Sequence, residues 1–109
     1  MGSQREIQVS EIIAHLAGDF FARESNGQSL VTVTRAEMSH DLKNITVFFS
    51  VLPEKFEESA LHFAKRKRAD FREFLKAHTV LRYLPTIDFA LDLGEKNRQR
   101  IDELIRKQK

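Results

Sequence analysis

The stretch L-V-T-V-T-R-A-E-M-S-H-D-L-K-N-I-T-V-F-F-S-V-L, Leu30 to Leu52, decides the fold. Its first nine residues are rich in β-branched side chains, which favour a pleated backbone. Ser39 to Asn44 then break the run with mostly polar residues. Ile45 to Leu52 alternates, with Ile45, Val47, Phe49 and Val51 on one side. Two such runs joined by a short polar loop make an antiparallel hairpin. Its apolar face must be covered, and the flanking sequence supplies the cover.

Upstream, Ile12, Ile13, Leu16, Phe20 and Phe21 recur at helical spacing. Ser10 suits a helix cap, with Glu11 in the first turn. Ile7 and Val9 then belong to a lead-in or to an earlier turn of a longer helix. Ser25 to Ser29, with Asn26-Gly27 inside, reads as a turn. Downstream, Pro53 ends the strand, and Glu54, Glu57 and Glu58 crowd a helix start. Phe56, Ala60, Phe63 and Ala64 form one apolar stripe; Phe71, Phe74 and Leu75 form a second. Nothing large and apolar lies between them. A straight helix from Glu54 to His78 would run ~37 Å. A domain of this length has a radius of gyration of only ~13 Å. A bend in the charged gap is therefore expected.

Leu81 to Leu84 lead, extended, into Pro85. Thr86 to Asp92 alternates again, with Ile87, Phe89 and Leu91 on one side, as a third strand. After Gly94, Ile101, Leu104 and Ile105 space a terminal helix over Glu95 to Arg106. Residues 1–4 and 107–109 are expected to fray. The order is α-β-β-α-(kink)-α-β plus a C-terminal helix. That is one α+β domain over 1–109, with a three-stranded sheet covered on one face by helices.

The formal net charge is only +2, yet its distribution is uneven. Residues 1–64 hold five Lys/Arg against nine Asp/Glu. Within 65–82, Lys65, Arg66, Lys67, Arg68, Arg72, Lys76 and Arg82 meet only Asp70 and Glu73. Such a run is usually a solvated face. This one lacks the Glu partners at i,i+4 that neutralise a helix from within. It also falls at the expected bend, where cations can track a phosphate backbone and release its counterions. These seven residues are the candidates for contacting phosphate. Arg35 and Lys43, beside the hairpin, and Arg5 on the first helix are secondary candidates. Arg35 equally suits a surface ion pair with Glu37. Nine Phe and one Tyr invite base stacking. Phe20, Phe49, Phe63, Phe71 and Phe89 sit at core periodicity, which leaves Phe48 and Tyr83 as the aromatics to examine for exposure.

Other chemistry is missing. Without cysteine there is no disulfide and no thiolate metal site. No apolar run approaches a membrane span, and the N-terminal residues lack a secretory core. A cytoplasmic monomer is expected. His15, His40, His62 and His78 are scattered, and Asp41 suits closing its own turn better than orienting His40. No nucleophile has a base and orienter, no spacing suits zinc or calcium, and no glycine-rich phosphate loop occurs. No catalytic residue, metal, cofactor or small-molecule substrate is expected.

Three stretches taken together resemble bacterial ribosome-binding factor A. They are V-T-V-T-R through S-V-L, then L-R-Y-L-P-T-I-D-F-A-L-D, then D-x-x-x-x-x-x-x-R-I-D-x-L-I from Asp92 to Ile105. The resemblance implies a type II KH-like fold. It implies an assembly factor that binds the immature small (30S) ribosomal subunit and its rRNA. Such a factor assists late maturation of 16S rRNA, including its 5′ end, by binding without catalysis, and is associated with growth in the cold. It also implies a helix-kink-helix centred on Ala-x-Gly, where the matching Arg68-Ala69-Asp70 has no glycine. The turn at Ser25 to Ser29 likewise differs from the family's acidic-proline version. Two other readings stand beside this one: a protein-interaction module of the same fold with an acidic protein partner, and a hydrolase of the acylphosphatase kind. The latter needs a phosphate cradle that the sequence does not supply.

Overall fold

The computed structural model describes residues 4–24, 29–81 and 83–94. Helix α1 spans Gln4–Glu24. It starts a turn and a half before Ser10, because Gln4 to Gln8 contains no helix breaker and Glu6 sits favourably in the first turn. Ile7 is accordingly on the helix and half exposed. Ile13, Ala17, Phe20 and Phe21 form the buried stripe of α1.

Strands β1, Leu30–Met38, and β2, Asn44–Leu52, form the expected antiparallel hairpin. Leu30 pairs with Leu52 and Met38 with Ile45. The alternation in β2 is complete: Ile45, Val47, Phe49 and Val51 are buried. In β1 the register shifts between Val33 and Arg35. The extra residue, Thr34, lets Thr34 and Arg35 both lie exposed while Val33 and Ala36 keep the inward side.

A single 3-10 turn, Glu54–Phe56, leads into α2, Glu57–Arg66, and then α3, Arg68–His78. Strand β3, Thr86–Leu91, returns parallel to β2, giving the order β1-β2-β3. Parallel pairing needs a long crossover, and the two helices supply it. The helices cover one face of this mixed sheet, as expected for the α-β-β-α-α-β order. The expected C-terminal helix lies outside the described residues.

The core is a phenylalanine cluster that ties every layer together. Phe20 on α1 meets Phe71 on α3 at 5.2 Å between ring centroids. Phe71 meets Phe89 on β3 at 5.5 Å, and Phe21 meets Phe89 at 5.2 Å and Phe49 at 5.8 Å. Edge-on and tilted contacts of this kind add to the gain from burial. Phe63 is only half-buried, on the rim of the cluster.

Asp92 is the one buried charged residue among those described, at 8% exposure. Its backbone N–H donates to the Phe49 carbonyl at 2.8 Å. Its carboxylate accepts from the Thr34 hydroxyl at 2.5 Å and faces Arg35 Nε at 3.5 Å. One side chain thus straps the end of β3 across β2 to the bulge in β1. Asp92→Ala is expected to cost about 1.5–3 kcal/mol, the range for hydrogen bonds to a charged group. Thermal unfolding followed by circular dichroism checks it, at about 4–8 °C per kcal/mol for a domain of this size.

Candidate nucleic-acid interface

The basic run forms an elbow between α2 and α3. Lys67 is the hinge residue, at φ −93° and ψ 8°. That conformation is accessible to any L residue, so the bend forms without glycine. It falls one residue before Arg68-Ala69-Asp70. The Lys67 N–H is shared between the Phe63 and Ala64 carbonyls, 3.1 Å each, and the Lys67 carbonyl accepts from Phe71 N–H at 2.8 Å. Both backbone groups of the hinge residue are thus hydrogen-bonded. Ala64 before it and Phe71 and Leu75 after it are all fully buried. The bend is what aims both apolar stripes at one sheet.

The cations on this elbow are more engaged than the sequence suggests. Lys65 Nζ and Arg68 Nη1 both reach Asp88 Oδ1 on β3, at 3.3 and 3.2 Å. Arg68 Nε also donates to the Lys65 carbonyl at 3.1 Å. Lys67 Nζ lies 3.4 Å from Asp70, 4.0 Å from Glu24 and 5.7 Å from the centre of the Phe63 ring. Lys76 pairs with Glu73 at 3.2 Å. Arg72 Nη1 donates to the Pro85 carbonyl at 3.2 Å. Among the described residues, the Arg66 side chain has no ion pair or hydrogen bond. No Glu pairs with the run at i,i+4, as the sequence indicates, yet the run has other partners. Asp70 and Glu73 act at i,i+3 spacing, and Glu24 and Asp88 reach in from other elements.

The elbow remains net positive, with six described cations against these four carboxylates. The pairs are exposed or half exposed, and such pairs are worth ~0–1 kcal/mol each. Partial burial pushes the Asp88 carboxyl up. The Phe89 N–H, the Lys65 ammonium and the Arg68 guanidinium outweigh that push and hold it below the ordinary 3.8.

Beside the elbow, Arg68, Ala69, Arg72, Thr86 and Ile87 line an open groove of about 380 Å³. The start of α3 makes one wall. The edge of β3, free among the described residues, makes the other. Thr86 N–H bonds to the Lys43 carbonyl and Asp92 N–H to the Phe49 carbonyl, both at 2.8 Å. In a parallel ladder this alternation turns the N–H groups of Ile87, Phe89 and Leu91 toward the free edge. Asp88 Oδ1 takes the Phe89 N–H at 2.9 Å. A cationic wall facing backbone donors and acceptors suits a single nucleic-acid strand. A larger groove, about 650 Å³, lies between the start of α1 and β1. It carries Glu6, Glu11 and Glu37, which disfavour phosphate.

The structure brings Lys65, Arg68 and Arg72 together beside the β3 edge, with Arg66 and Lys67 at the bend and Lys76 further along α3; Arg82 lies outside the described residues. Lys43 sits at the β3 start through its carbonyl, in a turn that Asp41 closes. Asp41 Oδ1 accepts from the Ser39 hydroxyl at 2.6 Å and from Lys43 N–H at 3.0 Å. Those two bonds, the hydroxyl's first, hold its carboxyl below the usual range. Arg35 is on the open face of the sheet, bonded to Glu37 and stacked 4.0 Å over Phe48. Phe48 is half-buried there, while Tyr83 is 78% exposed, just before Pro85. Arg5 is exposed near the start of α1, about 29 Å of helix away from Glu24. Sequence reasoning missed Asp88 and Glu24. The one available signal was that Asp88 falls between two inward residues, Ile87 and Phe89, and so points away from the core.

Among the described residues no cluster of His, Asp and Glu could hold a metal ion, and no helix is long and apolar enough to cross a membrane. The family profile described as Ribosome-binding factor A matches residues 5–105. The chain is 36% identical to the ribosome-binding factor A of Pelagibacter ubique, over 95% of this chain and 89% of that one. It is 30% identical to the Coxiella burnetii protein of the same name, over 94% and 88%. Its fold is similar to the crystal structure of ribosome-binding factor A from Thermus thermophilus. The TM-score is 0.69 at 20% identity, covering 79% of this chain and 94% of that one. Coordinates of the Thermus thermophilus factor fitted into a cryo-EM map of its 30S complex give a TM-score of 0.68 at 20% identity, covering 78% and 92%.

Proposed function

This chain belongs to the ribosome-binding factor A family, and we propose that it binds the immature small ribosomal subunit through the α2–α3 elbow. There it assists late maturation of 16S rRNA, including the 5′ end, as a cytoplasmic monomer without catalysis. A role in growth in the cold belongs to the same proposal. The observation that carries the reading is the elbow itself. Arg68 and Arg72 line a groove whose far wall is a strand edge left unpaired among the described residues, and Lys65, Arg66 and Lys67 flank it in sequence at the bend. Binding of this kind favours one rRNA conformation by differential affinity and needs no reaction. The Thermus factor fitted into a 30S map supports the choice of partner.

Fractionation of cell extract on sucrose gradients tests it. The protein is expected to travel with small subunits. Its retention should fall about a hundredfold between about 50 and about 200 mM salt, as several phosphate contacts require. Travel only with free protein, or retention indifferent to salt, would count against it. One observation favours a second reading: Lys65 and Arg68 already hold a carboxylate. An acidic protein partner would use the same cations, and competition by rRNA against protein fractions separates the two.

A further inference from the structure

We propose that Asp88 is an internal phosphate surrogate that sets how tightly the elbow grips RNA. This rests on the elbow being the RNA surface and adds a regulator within it. A single oxygen, Asp88 Oδ1, gathers three donors: Lys65 Nζ at 3.3 Å, Arg68 Nη1 at 3.2 Å and Phe89 N–H at 2.9 Å. An ammonium, a guanidinium and a backbone N–H converging on one anionic oxygen is how proteins hold phosphate oxygens. The Asp88 side chain is 48% exposed, so it can be exchanged for an incoming anion. Arg68 also lines the groove beside α3, so the surrogate and the strand-binding groove share a residue.

Two consequences follow, with opposite signs. In the free protein Asp88 fixes Lys65 and Arg68 at the β3 edge, which lowers the ordering cost when a ligand arrives. On binding, a phosphate must win both cations from a carboxylate that repels it at close range. The exposed cations are weakly held, so repulsion dominates and affinity is lowered. A binder with this built-in competitor releases its RNA more readily than its cation count implies. Removing Asp88 changes the elbow from six cations against four carboxylates to six against three. The side chain points away from the core, between buried Ile87 and Phe89, so its replacement leaves the packing in place.

The test measures binding of Asp88→Asn, Asp88→Thr and the double variant Lys65→Gln/Arg68→Gln. The probes are purified small ribosomal subunits and a single-stranded oligouridylate, titrated from about 50 to about 200 mM salt. Asp88→Asn is expected to bind both probes about 5–10-fold tighter near 100 mM salt. Its plot of log affinity against log salt should be steeper by about one unit, the increment for one more effective phosphate contact. Asp88→Thr, a β-branched strand former, replaces it if Asp88→Asn melts early. Unchanged or weaker binding by a variant that melts like the parent overturns the surrogate. If the double variant loses binding and the Asp88 variants gain none, only this inference fails. If the double variant binds as the parent does, these two cations are not RNA contacts and both the surrogate and the elbow reading fall.

Discussion

Replacing Lys65, Arg66, Lys67 and Arg68 together by glutamine is expected to weaken binding to small ribosomal subunits by roughly a hundredfold or more. Removing one phosphate-bound cation flattens the salt dependence by about 0.9 of a logarithmic unit, so removing four flattens it by about 3–4. The fold should survive. The pairs made by Lys65, Lys67 and Arg68 are exposed or half exposed, and Arg66 makes none among the described residues. The bend at Lys67 is held by backbone bonds, which glutamine keeps. Affinity and thermal unfolding are measured side by side. A variant that unfolds normally and still binds with parental affinity moves the interface away from the elbow.

Phe71→Ala is expected to be the most damaging single change to stability. Phe71 is fully buried and meets rings from α1, α3 and β3. Truncating such a ring costs about 3–5 kcal/mol, through reduced burial and the cavity left behind. Domains of this kind have only about 5–15 kcal/mol in total. The variant should therefore be partly unfolded at ambient temperature or unfold at much lower denaturant. Urea titration followed by circular dichroism reads the shift. A loss below about 1 kcal/mol would mean that the site collapses around the cavity and that Phe71 is not what joins the layers.

Much of the fold was legible because it is periodic. The strict alternation of Ile45, Val47, Phe49 and Val51 has one sensible reading, and so does the recurrence of Phe71, Phe74 and Leu75. The bend followed from a gap in that recurrence. What stayed hidden depends on tertiary placement. The α1 start at Gln4 could not be chosen over Ser10, since both readings place Ile13, Phe20 and Phe21 inward. Thr34 in the bulge looks like any other strand residue until Asp92 is seen to bind it. The elbow's cations were legible as a surface charge, but their partners were not. Asp88 is twenty residues from Arg68 in sequence, and Glu24 lies at the far end of another helix. The kink needed no glycine because the bridge-region backbone of Lys67 never enters positive φ.

The most direct measurement places a photo-crosslinking side chain at Arg66, and separately at Thr32 on β1, and maps the products on small subunits. Thr32 is exposed and lies on β1, the strand at the sheet edge opposite β3. Position 66 is expected to capture 16S rRNA and position 32 is expected to capture none. Capture of rRNA from position 32, with position 66 silent, would mean that the positive elbow faces solvent and some other surface meets the ribosome.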